Sequence, residues 1–184
     1  KACSINRVDI FTRMGVRGTR LSLDSPHILG GDCAGEVVEI GSEVTRVNID
    51  DRVVINPKIS CSQCQYCIAG DDELCIKPRM LGQNSNGSYA EYIKAPATNA
   101  IKLPDSLSYE EAAALPTVFM PSWNILIRRG KIRPWETALI LSASSGVGSA
   151  AIQIAKSVVG ARVITTTSTK EKASMAKKMG ADHV

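Results

Sequence analysis

The sequence predicts a chain of β plus α/β class: a compact barrel of short strands carrying an inserted metal-binding loop, followed by the opening β-α-β-α of a parallel-sheet domain. Three observations carry that expectation. Short β-patterned runs punctuated by glycine fill residues 28–55. Four cysteines crowd into residues 61–75. After Pro121 the pattern changes to continuous apolar runs alternating with amphipathic stretches, the grammar of a sheet covered on both faces.

In chain order, Lys1-Ala2-Cys3-Ser4-Ile5-Asn6 alternates and reads as a strand already under way; no initiator methionine precedes it, so an N-terminal portion is expected to be missing. Glu36-Val37-Val38-Glu39-Ile40 and Arg52-Val53-Val54-Ile55 are strand runs bounded by Gly30-Gly31, Gly35 and Gly41-Ser42. Residues 57–79 interrupt the barrel as a long excursion, after which Gly87-Ser88-Tyr89-Ala90-Glu91-Tyr92-Ile93 resumes strand alternation. Residues 108–115 read as a helix, capped by Ser108 with Glu110 and Glu111 in its first turn. The domain boundary is expected at 120/121. Beyond it, residues 123–127 continue helically and Pro134 marks a turn. Thr137-Ala138-Leu139-Ile140-Leu141 is a buried strand, followed by a helix with Val147, Ala150, Ala151, Ile154, Ala155 and Val158 on its apolar face. Residues 162–167 are a second strand and 170–179 a second helix. A third strand would start at Asp182-His183-Val184.

Cys61, Cys64, Cys67 and Cys75 are spaced so that one folded-back loop can bring all four thiols to a point, which suits a tetrahedral zinc ion. Disulfides or unpaired thiols are the alternatives. The first residues hold no apolar signal-peptide core and the cysteines cluster locally, which favours metal. Four protein ligands leave no open position, so the ion would staple a lobe. Lys58, Lys77 and Arg79 flank it and could offset its negative charge. The remaining thiols, Cys3 and Cys33, read as small buried residues.

Composition narrows the function. The chain of 184 residues is 44% apolar and carries 22 basic against 18 acidic residues, mostly interspersed, for a net charge of +4. No apolar run reaches membrane-spanning length, and reduced thiols point to the cytosol. Two histidines, His27 and His183, exclude any site that needs several imidazoles.

The turn Ser142-Ala143-Ser144-Ser145-Gly146-Val147-Gly148 lies between a buried strand and a helix rich in small residues. A pyrophosphate needs that arrangement: close backbone approach and free N–H groups at a helix start. The same turn without ligand is the alternative. At the end of the second strand, where a carboxylate would bind the adenosine ribose of NAD, stand Thr167, Ser168, Thr169 and Lys170, with Lys172 close by. Hydroxyls and lysines suit the 2′-phosphate of NADP. Ser168 and Glu171 also fit a helix capping box.

Taken together these pieces resemble the medium-chain dehydrogenase/reductase superfamily, nearest its quinone oxidoreductase and zinc-type alcohol dehydrogenase-like branches. The resemblance runs through Leu29-Gly30-Gly31-Asp32-Cys33-Ala34-Gly35, Asp51-Arg52-Val53, the four cysteines, Gly87-Ser88-Tyr89-Ala90-Glu91-Tyr92 and Gly146-Val147-Gly148-Ser149-Ala150-Ala151. It implies a GroES-like barrel over residues 1–120 and the first half of a Rossmann domain over 121–184, with substrate in the cleft between them.

The resemblance also implies where a catalytic zinc would be bound, and the corresponding positions here look like Asn6, Gly31 and Thr117, none a strong ligand. Similar zinc-free quinone reductases carry asparagine at the place of Asn6, where its amide can meet a substrate or nicotinamide oxygen, and an aromatic wall at the place of Phe11. Ser142 and Ser145 stand where relatives usually have glycine.

The expected protein is therefore an NADPH-dependent reductase of quinones or α,β-unsaturated carbonyls with a structural zinc. It is expected to be cytoplasmic and homo-oligomeric at full length, with no membrane or nucleic-acid partner. A zinc alcohol dehydrogenase with unusual ligands, drawn from Cys3, His27, Asp32 and Cys33, is one alternative. A crystallin-like NADPH- or RNA-binding protein is the other.

Overall fold

The computed structural model describes residues 1–16 and 26–184. They divide into two compact units, Lys1–Pro116 and Thr117–Val184.

In the first unit, β1 (Ala2–Cys3), β2 (Cys33–Glu36), β3 (Arg52–Ile55) and β6 (Ala100–Lys102) form an antiparallel sheet in that order. Side chains alternate between its faces. Cys33, Val53, Ile55 and Ala100 join Val47, Ile59 and Leu81 in one core cluster. Ala34 and Val54, one residue out of phase, pack instead on Ala112 and Ala113 of helix α3 (Tyr109–Ala113). As expected, Ser108 caps α3, its hydroxyl accepting from the Glu111 N–H.

Three local readings differ from expectation. The strand at the N-terminus is only two residues long and gives way at Asn6 to helix α1 (Arg7–Met14), closed by Gly15 in the left-handed region. Residues 87–93 form no strand: Gly87, Ser88 and Tyr89 donate to the carbonyls of Ile28, Gly30 and Leu29, and the alternation goes no further. That crossing needs glycine, because a Cβ on Gly87 would stand 2.1 Å from the Gly30 oxygen. Likewise β2 ends at Glu36, and Val37 keeps only single bonds to Asp50 and Asp51.

The excursion begins at β4 (Lys58–Ile59), which pairs antiparallel with β5 (Arg79–Met80) to make a neck. Between them lie α2 (Gln65–Ile68) and a 3₁₀ turn over Asp72–Leu74.

Helix α4 (Pro116–Trp123), in the second unit from Thr117 on, contains Pro121 and runs on as a π-helical stretch over Asn124–Arg129. β7 (Thr137–Ile140) and β8 (Arg162–Thr165) are parallel neighbours joined through α5 (Gly146–Gln153) and its π-helical continuation Ile154–Val159. α6 (Lys170–Lys178) follows, and His183 makes the first parallel bridge, to Ile164, where a third strand was expected. Ala150, Ala151, Ile154 and Ala155 are buried as the helix pattern requires, whereas Val147 and Val158 are exposed. The strand expected to be buried throughout has Leu139 and Leu141 exposed and Ile140 buried.

Candidate metal centre and cofactor loop

The lobe is built to converge its thiols. Asn99, buried, donates through Nδ2 to the carbonyls of Asn56 and Lys58, both at 2.7 Å, and so ties the entry of the lobe to the barrel. Cys64 starts α2, whose single turn returns Cys67 beside it, and the 3₁₀ turn delivers Cys75. All four Sγ atoms lie within 4.8 Å of one another, with Cys61–Cys67 at 3.9 Å and Cys64–Cys67 at 3.5 Å. Thiolates about 2.3 Å from a tetrahedral zinc are separated by roughly 3.8 Å. The donor set therefore fits zinc. It is the one cluster of three or more His, Cys, Asp or Glu ligands among the described residues.

Backbone N–H groups, more than lysines, face the sulfurs. The Cys61 N–H donates to Cys75 Sγ at 3.3 Å and holds that thiol below its ordinary range. The N–H groups of Cys67 and Ile76 bring Cys64 down to about 6. Burial pushes Cys67 the other way, up to about 12. Lys58, expected to offset the cluster's charge, gives its ammonium to the Glu73 carbonyl at 2.7 Å.

Asn6 stands at the start of α1 in extended geometry, its N–H donating to Asp9 Oδ2 at 2.8 Å. Both hydrogens of its amide are engaged: Nδ2 donates to Asp32 Oδ2 at 2.8 Å and to Ser4 Oγ at 3.1 Å. Ser4 also donates to Asp32 Oδ2, at 2.9 Å, and Asp32 is wholly buried. Tyr89 donates to Asp9 Oδ2 at 2.9 Å; burial, and then that bond, hold its hydroxyl well above the usual phenol range. Phe11 lies on α1 with the Arg7 guanidinium 5.9 Å from its ring centre. The part of Asp9, Ser4 and Tyr89 in this network is absent from the sequence reading. Asn6-x-x-Asp9, a helix-start signature, would have revealed at least the first.

In the second unit the loop after β7 turns at Ser142, which sits at φ 62°, where glycine would be unstrained. Ser145 caps α5: its Oγ accepts from the Gly148 N–H at 3.0 Å and donates to the Ser142 carbonyl at 2.9 Å. A Cβ on Gly148 would lie 2.2 Å from that carbonyl, so only glycine fits. Ser142 and Ala143 donate to Thr166, which fixes the loop against the end of β8. The turn that holds Ser142, Ser145, Gly146, Val147 and Gly148 is thus tied to Thr166 at the carboxyl end of β8, with Thr167 and Ser168 next in sequence. Thr167 Oγ1 is buried without a hydrogen-bond partner among the described residues. Thr169, not Ser168, caps α6, accepting from the Lys172 N–H at 3.3 Å, while Lys172 Nζ reaches Ser168 Oγ at 3.4 Å. Glu171 folds back onto its own N–H and the Thr169 hydroxyl, which lowers its carboxyl.

Residues 1–105 match the model of the alcohol dehydrogenase GroES-like domain, and residues 146–184 that of the zinc-binding dehydrogenases. The chain belongs to the medium-chain dehydrogenase/reductase superfamily. An NAD-dependent alcohol dehydrogenase of Sulfurisphaera tokodaii is 34% identical over this whole chain, which spans 54% of it. An acryloyl-coenzyme A reductase of Metallosphaera sedula is 36% identical over 83% of the chain and 46% of its own length. A solved NAD-dependent alcohol dehydrogenase superposes with a TM-score of 0.93 at 43% identity, covering all of this chain and 52% of its own. The chain thus spans about half the length of the curated dehydrogenases it matches, and carries the GroES-like part with the opening of the Rossmann part. Among the described residues, no helix is long and apolar enough to cross a membrane.

Proposed function

We propose that this chain is the catalytic domain and first cofactor-binding half of a cytoplasmic, homo-oligomeric NAD(P)H-dependent oxidoreductase that reduces conjugated acceptors, quinones or α,β-unsaturated carbonyls. The observation that carries this reading is the donor set around Asn6. An amide, the Ser4 hydroxyl and the buried Asp32 carboxylate form a closed hydrogen-bonded group, and neighbouring Gly31 offers no side chain. The bound nicotinamide would supply a hydride. Asn6 would give up its longer bond, the 3.1 Å one to Ser4, to an acceptor oxygen on which charge develops. Hydrogen bonds of this kind suffice for a conjugated acceptor, which spreads the charge it gains. The kinship with an acryloyl-coenzyme A reductase supports the same substrate class.

The N–H groups of Gly146 and Val147 would receive the pyrophosphate, since Ser145 already occupies that of Gly148. We assign NADPH over NADH because Thr167 stands where a carboxylate would repel the 2′-phosphate, and because Lys172 lies beside Ser168. The carboxylate of Glu171 at the start of α6 works against a phosphate there, so we expect the lower end of what one charged hydrogen bond provides, about tenfold.

Kinship with NAD-dependent alcohol dehydrogenases favours a second reading, alcohol oxidation with a second, catalytic zinc. The full-length enzyme separates the two. NADPH oxidation with a quinone or enone at one zinc per chain supports the first; alcohol oxidation at two zinc ions per chain replaces it. Thr167→Asp should turn the kcat/KM ratio toward NADH. If the unmodified enzyme already prefers NADH, the assignment to NADPH fails while the substrate class stands.

A further inference from the structure

Cys3 and Cys33 are directly opposed in the antiparallel register of β1 and β2. Their neighbours Ala2 and Ala34 both pack on the α3 side, so by strand alternation the two cysteines share the other face. Opposed residues of an antiparallel pair hold their Cα atoms about 4.5 or 5.5 Å apart, and both spacings fall within the roughly 4.4–6.8 Å of disulfides. The two thiols differ in access. Cys3, on the edge strand, is exposed, contrary to the expectation of burial, and Cys33 is buried. Burial, and behind it the charges of Asp32 and Cys3, push Cys33 up to about 11. It is therefore poor as the entering nucleophile.

We propose that Cys3 and Cys33 are a redox modification site that closes into a reversible cross-strand disulfide at the expense of a small-molecule disulfide. The Cys3 thiolate attacks one sulfur of the reagent and releases the first thiol, leaving a mixed disulfide on Cys3. Cys33 gives up its proton to solvent and attacks Cys3 Sγ, which releases the second thiol. Two protein thiols are oxidised and one disulfide is reduced to two thiols. The new bond lies next to Ser4 and Asp32, and so clamps together the two segments that share the polar group at Asn6.

The test uses the intact zinc-loaded protein, whose metal shields the four lobe cysteines, incubated with glutathione disulfide and then alkylated and mapped by mass spectrometry. The expected result is joint loss of Cys3 and Cys33 from the alkylated pool, a peptide linking them, retained zinc, and recovery of both with dithiothreitol. Cys3→Ser should leave Cys33 unmodified. Cys33→Ser should stop the reaction at a stable glutathione adduct on Cys3. The proposal is overturned by a stable glutathione adduct on Cys3 of the unmodified protein, by a link confined to the lobe with release of zinc, or by no link at all.

Discussion

Gly148→Ala opposes two effects of known size. A helix-propensity argument favours alanine by about 1 kcal/mol. The structure opposes it, because the new Cβ would lie 2.2 Å from the Ser142 carbonyl oxygen, 2.8 Å from Ser145 Oγ and 3.0 Å from the Ser142 carbonyl carbon. Two of these atoms are backbone, in a loop pinned to Thr166, and cannot swing aside as a flexible side chain would. Relief therefore means moving the loop by about 1 Å, at a cost of about 1–3 kcal/mol for overpacking, and loosening the Ser145 cap, worth about 1 kcal/mol. The net expectation is destabilisation by about 1–3 kcal/mol. Trp123 and Trp135, the chain's two tryptophans, both belong to the second unit, so their fluorescence in a urea titration reports its unfolding. With a slope of about 1 kcal/mol per molar for so small a unit, the midpoint should fall by about 1 M or more. Gly160→Ala is the control: nothing lies within 4 Å of its Cβ, and only its φ of 81° disfavours alanine, by about 1 kcal/mol. A Gly148→Ala midpoint at or above that of the unmodified chain would refute the packing argument.

Three further outcomes are expected. Cys64→Ser should abolish stoichiometric zinc in elemental analysis of a protein that otherwise holds one ion per lobe, and should make residues 57–79 the first site of proteolysis; retained zinc would mean that three thiols suffice. Asn99→Ala leaves the half-buried carbonyls of Asn56 and Lys58 without their 2.7 Å partners and should cost about 1–3 kcal/mol in denaturant unfolding, since a hydrogen bond contributes about 0.5–1.5 kcal/mol. Asp182, whose carboxyl is held below its ordinary range by Lys156 and then by the Val163 N–H, contributes stability that is complete above about pH 4 and is lost as pH falls through the lowered folded value. Asp182→Asn should therefore narrow the gap between thermal midpoints at pH 6 and pH 3; an unchanged gap would show that the pair with Lys156 is electrostatically idle.

What the sequence disclosed and what it hid divide by distance along the chain. The metal lobe was legible because its ligands lie within one short excursion, and a single helical turn and a 3₁₀ turn are enough to converge them. The second unit was legible because the 3.6-residue spacing of Ala150, Ala151, Ile154 and Ala155 and the unbroken apolar run before it each state a local structure. The exposure of Val147, Val158, Leu139 and Leu141 was not, since a pattern names the apolar face but not what covers it. Around Asn6 the decisive partners are remote: Asp32 is 26 residues away, and Tyr89 reaches Asp9 over 80. Alternation through residues 1–6 promised strand, yet an eight-residue helix follows because Asn6 and Asp9 satisfy its first turn. The same alternation at 87–93 produced no ladder, because its hydrogen bonds go to the glycine crossing at 28–30 and stop there. Periodicity therefore described each segment's preference correctly where neighbours in sequence supply the partners, and misled where partners remote in sequence, the buried Asp32 carboxylate and the carbonyls of residues 28–30, take the hydrogen bonds. The group at Asn6, on which the proposed substrate class rests, is of the second kind.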